Sequence, residues 1–143
     1  RDSFINVVVE THQQSKSDGE IFISEKSYRP IYCAQPFIIF GNPNTLKSLK
    51  EMGYKTFSEF WDESYDEPGP INKRLHKLYR TLNNLAKMPL DELKALSAKI
   101  EPILIHNFNV LLSLDRIYSR MDNLHLEQNN IAQTKLLPGN KLI

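Results

Sequence analysis

Two short, uninterrupted apolar runs constrain this chain more than any other feature. Residues 4–10 (FINVVVE) and 36–41 (PFIIFG) are both of strand length and rich in β-branched or aromatic side chains. Neither alternates polar with apolar residues, so each is expected to be a strand buried on both faces, at the centre of a parallel sheet. A parallel pair needs a crossover, and the chain between the runs supplies one. Residues 11–20 are a polar loop, residues 21–23 a short extended lead-in, and Ser24 is an N-cap for a helix reaching about Ala34. Pro30 shortens or kinks that helix. After the second run, Asn42-Pro43-Asn44-Thr45 opens a helix with Leu46, Leu49 and Met52 on its apolar stripe and Gly53 as terminator. Residues 54–57 return as a brief strand. Strand, helix, strand, helix, strand at this spacing predicts an α/β fold, a half-Rossmann arrangement with right-handed crossovers.

Beyond that point the pattern changes. Residues 59–67 (EFWDESYDE) carry five acids and no base, and read as a surface turn anchored by Phe60 and Trp61. Ile71, Leu75, Leu78, Leu82 and Leu85 then recur at helical spacing. Met88-Pro89 breaks that helix, and Asp91 restarts it with Leu93, Leu96 and Ile100 on one face. Pro102 predicts a kink or a new start, followed by a third helical stretch over 103–117. At 143 residues the chain is expected to be one domain: an α/β core over 1–70, a helical part over 71–121, and a polar tail over 122–143 that packs poorly alone or docks on a partner.

Charge is nearly balanced, with 18 Lys and Arg against 17 Asp and Glu. That argues against a nucleic-acid footprint. The single cysteine, Cys33, excludes an internal disulfide and is expected to be a small buried hydrophobe. No apolar run approaches membrane-spanning length. A cytoplasmic setting is expected. The chain opens on Arg1 and enters a strand within a few residues, so it reads as a piece of a longer polypeptide. Phosphate-loop, dinucleotide-loop, zinc and nucleophile-elbow motifs are missing, so neither a metal nor a resident cofactor is expected. His12, His76, His106 and His125 are scattered and read as structural.

The stretch from residue 23 to 41, ISEKSYRPIYCAQPFIIFG, carries the chemistry. Glu25 and Lys26 sit where a loop enters a helix, just ahead of a strand. A helix start presents free N–H groups, Lys26 adds a charge for a phosphate, and Glu25 can accept from ribose hydroxyls. The alternative is that Ser24, Glu25 and Lys26 simply begin a helix. Arg29 could assist the phosphates or pair with an acid. Tyr28 and Tyr32 read as helix packing. Asp62, Glu63 and Asp66 could hold a hard cation, although a solvated acidic turn is the simpler reading. Lys73, Arg74, Lys77 and Arg80 read as a solvated basic face.

The order VVVETH, ISEKSYRP, QPFIIFG over residues 7–12, 23–30 and 35–41 resembles the C-terminal domain of α-1,3-fucosyltransferase-type glycosyltransferases. Residues 22–66 also resemble uncharacterised proteins of large tailed phages, some of them labelled glycosyltransferases, which would place the chain in a host cytoplasm or a virion. The resemblance covers about residues 4–66. It implies the nucleotide-sugar half of a GT-B fold, with Glu25 and Lys26 on the ribose and diphosphate of the donor and Glu10 as a weaker match. Ser24 stands where the motif usually has Thr, which keeps the hydroxyl. It further implies a glycan acceptor and an N-terminal domain or partner subunit that carries the general base. The competing expectation is a non-enzymatic interaction module, a virion or assembly component, that retains the half-Rossmann shape.

Overall fold

The computed structural model describes residues 3–13 and 21–136, with side chains as far as Leu114. The chain divides into two compact units, one ending at Val110 and one beginning at Leu111. In the first unit, strand β1 (Asn6–Val9) pairs in parallel with β2 (Phe37–Phe40), Val7 opposite Ile38 and Val9 opposite Phe40. Helix α1 (Glu25–Tyr32) makes the crossover, and α2 (Thr45–Glu51) follows β2. A 3₁₀ turn over Ser64–Asp66 leads to α3 (Ile71–Ala86), and α4 (Leu90–Leu136) completes the described chain. The architecture is mixed α/β, as expected, with a sheet of two strands among the described residues.

The parallel pairing is present, but only β2 is buried on both faces. All four β2 side chains are buried, whereas Val7 and Val9 are 45% and 54% exposed and only Val8 of β1 points inward. The outer face of β1 is therefore about half exposed. Residues 54–57 are not a strand. They form no ladder and are held by a side chain: Asn107 Oδ1 accepts from the Lys55 N–H at 2.7 Å and Asn107 Nδ2 donates to the Lys55 carbonyl at 2.8 Å. That amide satisfies the backbone as a neighbouring strand would, so no ladder is needed.

Helix α1 stops at Tyr32, two residues short of the expected end, because Ala34 turns into the left-handed region at φ 47°. Pro30 sits inside α1 without ending it, since near the helix end a proline forfeits a single backbone bond. Cys33 is half-buried rather than fully buried. The α2 helix starts after Asn44, whose φ of 69° is left-handed and whose side chain makes no cap bond. Asp66 supplies the missing cap from the 3₁₀ turn: its Oδ2 accepts from the Leu46 N–H at 2.9 Å.

Pro102 does not divide the last helix; α4 runs unbroken through it and onward to Leu136. The backbone over 122–136 is therefore helical, and the rest of the expected tail lies outside the described residues. The buried face of α3 is also rotated from the leucine stripe. It consists of Arg74, Leu78, Thr81 and Leu85, while Leu75 is 47% exposed.

Candidate functional site

Glu10 follows β1 directly, at the carboxyl edge of the sheet. Its carboxylate is almost fully buried and lies against the start of α1. The Ser24 N–H and the Ser27 hydroxyl donate to Oε1 at 3.0 and 2.5 Å, and the Ser24 hydroxyl donates to Oε2 at 2.6 Å. Burial raises the carboxyl pKa, but the hydroxyl bonds from Ser24 and Ser27 and the Ser24 N–H outweigh it. The net pKa is lowered, so Glu10 is an anion at neutral pH. Ser24 Oγ also accepts from the Lys26 N–H at 3.3 Å, which makes Ser24 the N-cap. The carboxyl end of β1 and the start of α1 are thus tied by one buried anion placed where the helix dipole favours it.

The end of β2 closes on the same point. A Cβ on Gly41 would lie 2.9 Å from Thr45 Oγ1 and 3.3 Å from Glu10 Cγ, so only glycine fits there without a shift. Asn42 Oδ1 accepts from the Phe22 N–H at 3.2 Å, holding the lead-in to α1 beside the exit from β2. The structure therefore brings Glu10 and Ser24 together. Glu25, Lys26 and Arg29 lie on α1 with their side chains exposed, and none makes an ion pair among the described residues.

Arg74 is the organising cation of the unit, not part of a solvated face. Arg74 is 2% exposed and its guanidinium forks to three carbonyls. Nε donates to Tyr65 O at 2.8 Å, one terminal nitrogen to Gly41 O at 2.8 Å and the other to Gln13 O at 2.5 Å. The group also lies 4.7 Å from the centre of the Phe40 ring. It joins the exits of both strands to the 3₁₀ turn. Lys77 and Thr81, from the same helix, bind the acidic segment: Lys77 pairs with Glu67 at 2.8 Å and Thr81 donates to Asp62 O at 2.9 Å.

The acidic segment is a solvated turn only in part: Glu59, Asp62 and Glu67 are exposed, whereas Glu63 and Asp66 turn inward. Asp66 is 8% exposed. Burial pushes its carboxyl up to about 6, against the N–H groups of Leu46 and Lys47 and the charge of Arg74. Burial also raises Glu63, although Thr56 Oγ1 and the Phe57 N–H donate to it at 2.7 and 2.8 Å. These two acids, with Lys47, Lys50, Ser58 and Trp61, border a cleft of about 450 Å³. Asp62 is exposed and held low by Ser64. Glu63 is spent on Thr56 and Phe57 and Asp66 Oδ2 on the α2 cap, while Asp66 Oδ1 is buried without a hydrogen-bond partner among the described residues. Among the described residues, no group of three or more His, Cys, Asp or Glu could hold a metal ion. His106 is structural, its Nε2 lying 2.9 Å from the Gly53 carbonyl. The side chain of His125 lies outside the described residues.

Sequence reasoning missed Arg74, Ser27 and Asn107. For Arg74 the signal was present: Arg74, Leu78, Thr81 and Leu85 share one helical stripe, and reading arginine as a surface residue hid it. Comparison with protein-family models, with characterised proteins and with solved structures finds no match to this chain. No described helix is long and apolar enough to cross a membrane.

Proposed function

We propose that the first unit is the donor-binding part of a glycosyltransferase, taking a nucleotide sugar at the start of α1, and that an N-terminal domain or partner subunit completes the transferase. The observation that carries this reading is the placement of Glu25 and Lys26. Glu10 anchors the start of α1 at the carboxyl end of β1, where open α/β sheets bind their ligands. Lys26 is then an exposed ammonium for a diphosphate, Glu25 an acceptor for ribose hydroxyls, and Arg29 a second cation one turn along. Glu10 itself acts from beneath, as the residue that positions the helix, and does not touch the donor.

Calorimetric titration of the protein with a panel of nucleoside diphosphates and nucleotide sugars tests this. Lys26→Ala removes a charge-assisted hydrogen bond of about 1.5–3 kcal/mol and should weaken donor affinity about tenfold to a hundredfold. Its exposed position predicts unchanged folding stability. Unaltered affinity in this variant, or no binding across the panel, would remove the donor reading. One observation favours the second reading, an interaction module. Helix α4 continues for 26 residues beyond the first unit, from Leu111 to Leu136, far more than a donor site needs.

A further inference from the structure

That α4 is one helix exposes a pattern which its expected division at Pro102 conceals. Leu93, Leu96, Ile100, Ile103, Asn107, Val110 and Leu114 follow one another at alternating spacings of three and four. Ile117, Met121, Leu124, Gln128 and Ile131 continue in the same register. These are the a and d positions of a heptad, repeated about every 3.5 residues; they are apolar except at Asn107 and Gln128, and the next a position, 135, is Lys, which ends the apolar seam at Ile131. Burial in the described part agrees. Over 91–103 the a and d positions are buried or half-buried while residues 91, 92, 94, 95, 97–99, 101 and 102 are exposed; from 104 to 114 half-burial extends to residues 104, 106, 108, 111 and 112 as well.

Within the first unit this seam already has its partners. Ile100 is 0% exposed, and Asn107, the polar a position, is spent on Lys55. From Leu111 the helix belongs to the second unit, whose described part is this one helix. A helix in water draws most of its stability from packing an apolar face, not from propensity, so this one needs a partner. The repeat spans the three or more heptads that a coiled coil requires.

We propose that residues 111–136 form a coiled coil with the same segment of a second copy of this chain. Two features select a copy. A two-position apolar seam is self-complementary, because each a or d side chain fits a hole built by the same residue types. The segment also carries three acids (Asp115, Asp122, Glu127) and three bases (Arg116, Arg120, Lys135), so two copies do not repel. Gln128, at an a position, would pair with another polar group and set the register. This association is independent of whether the first unit binds a donor.

Analytical ultracentrifugation of the full chain tests the proposal. The expected mass is at least twice the 16.6 kDa of one chain, falling toward one chain on dilution. Leu124→Lys, at a d position, should weaken self-association at least a hundredfold. The near-ultraviolet circular dichroism of Trp61, which belongs to the first unit, should stay unchanged. Asn130→Lys, at a c position, should leave the mass of the wild type unaltered. A wild-type chain that stays monomeric at ~100 μM, the range at which weak specific pairs begin to form, would overturn the proposal in favour of a different partner protein. Unchanged association in Leu124→Lys would overturn it equally.

Discussion

Replacing Arg74 with Met keeps the length of the side chain and removes the fork. Three carbonyls, Tyr65, Gln13 and Gly41, lose a charged donor at 2.8, 2.5 and 2.8 Å, and Asp66 loses its nearest buried cation. Hydrogen bonds to a charged group contribute about 1.5–3 kcal/mol each, but burying the guanidinium offsets part of that. Burial itself pulls its pKa down, against Asp66. The nearest measured analogy is a buried ion pair broken on one side, which costs about 3–5 kcal/mol. Domains of this size have only about 5–15 kcal/mol in total, so most of the stability should go. Urea unfolding followed by far-ultraviolet circular dichroism and by the fluorescence of the single tryptophan, Trp61, reads this directly. Arg74→Lys should recover only part of the loss, because an ammonium cannot span three carbonyls. Adding Asp66→Asn to Arg74→Met should cost less than the two changes summed, since the orphaned anion is then gone. The exposed neighbour Lys73→Met should change stability by no more than about 0.5 kcal/mol. A loss under about 1 kcal/mol in Arg74→Met would refute the reasoning, because the fork would then be energetically idle.

The two families of acids should respond to pH with opposite signs. Folding raises Asp66 from 3.8 to about 6, so its contribution is fully present below 3.8 and is lost as pH rises through 6. Asp66→Asn should remove that slope, which is on the order of 2 kcal/mol between about pH 4 and 6, in urea midpoints measured across the range. Glu10 is lowered below 4.5, so its stabilisation is present above that value and is lost as pH falls through the folded value. Glu10→Gln should therefore destabilise by about 1–3 kcal/mol at neutral pH and converge on wild type in acid, as thermal melts at both pH values would show. Gly41→Ala should cost about 1–3 kcal/mol in the same denaturation assay, because Thr45, fully buried and bonded to Asn42 O at 2.7 Å, must shift to admit the Cβ.

The local elements of the α/β part were largely legible. Continuous apolar runs announced β1 and β2, Ser24 announced the start of α1, and the leucine spacing announced α3, because strand and helix preferences are written over a few neighbouring residues. Boundaries were less so: Ala34 ended α1 by a left-handed turn that nothing in its chemistry advertises. The placement of Glu25 and Lys26 at a helix start was legible. The commitment of Glu10 to that helix was not, since its partners Ser24 and Ser27 stand 14 and 17 residues away.

What the sequence by itself determined, then, is β1, α1, β2, α2 and α3 in their order and the parallel sense of the two strands; the absence of a strand at 54–57 and the unbroken run of α4 through Pro102 appeared only in the structure. Periodicity and crossover length are local or nearly local quantities, and they need no knowledge of what packs on what. What only the tertiary structure decided is which charged residues are interior. Arg74, Asp66 and Glu63 read as surface residues because a charge alone pays too much to leave water. They are interior because each meets its partners from distant segments: Arg74 spans the exits of both strands and the 3₁₀ turn, Asp66 caps a helix twenty residues earlier, and Glu63 holds the chain at Thr56 and Phe57. Burial of a charge is a property of the set of groups around it, and the fold assembles that set.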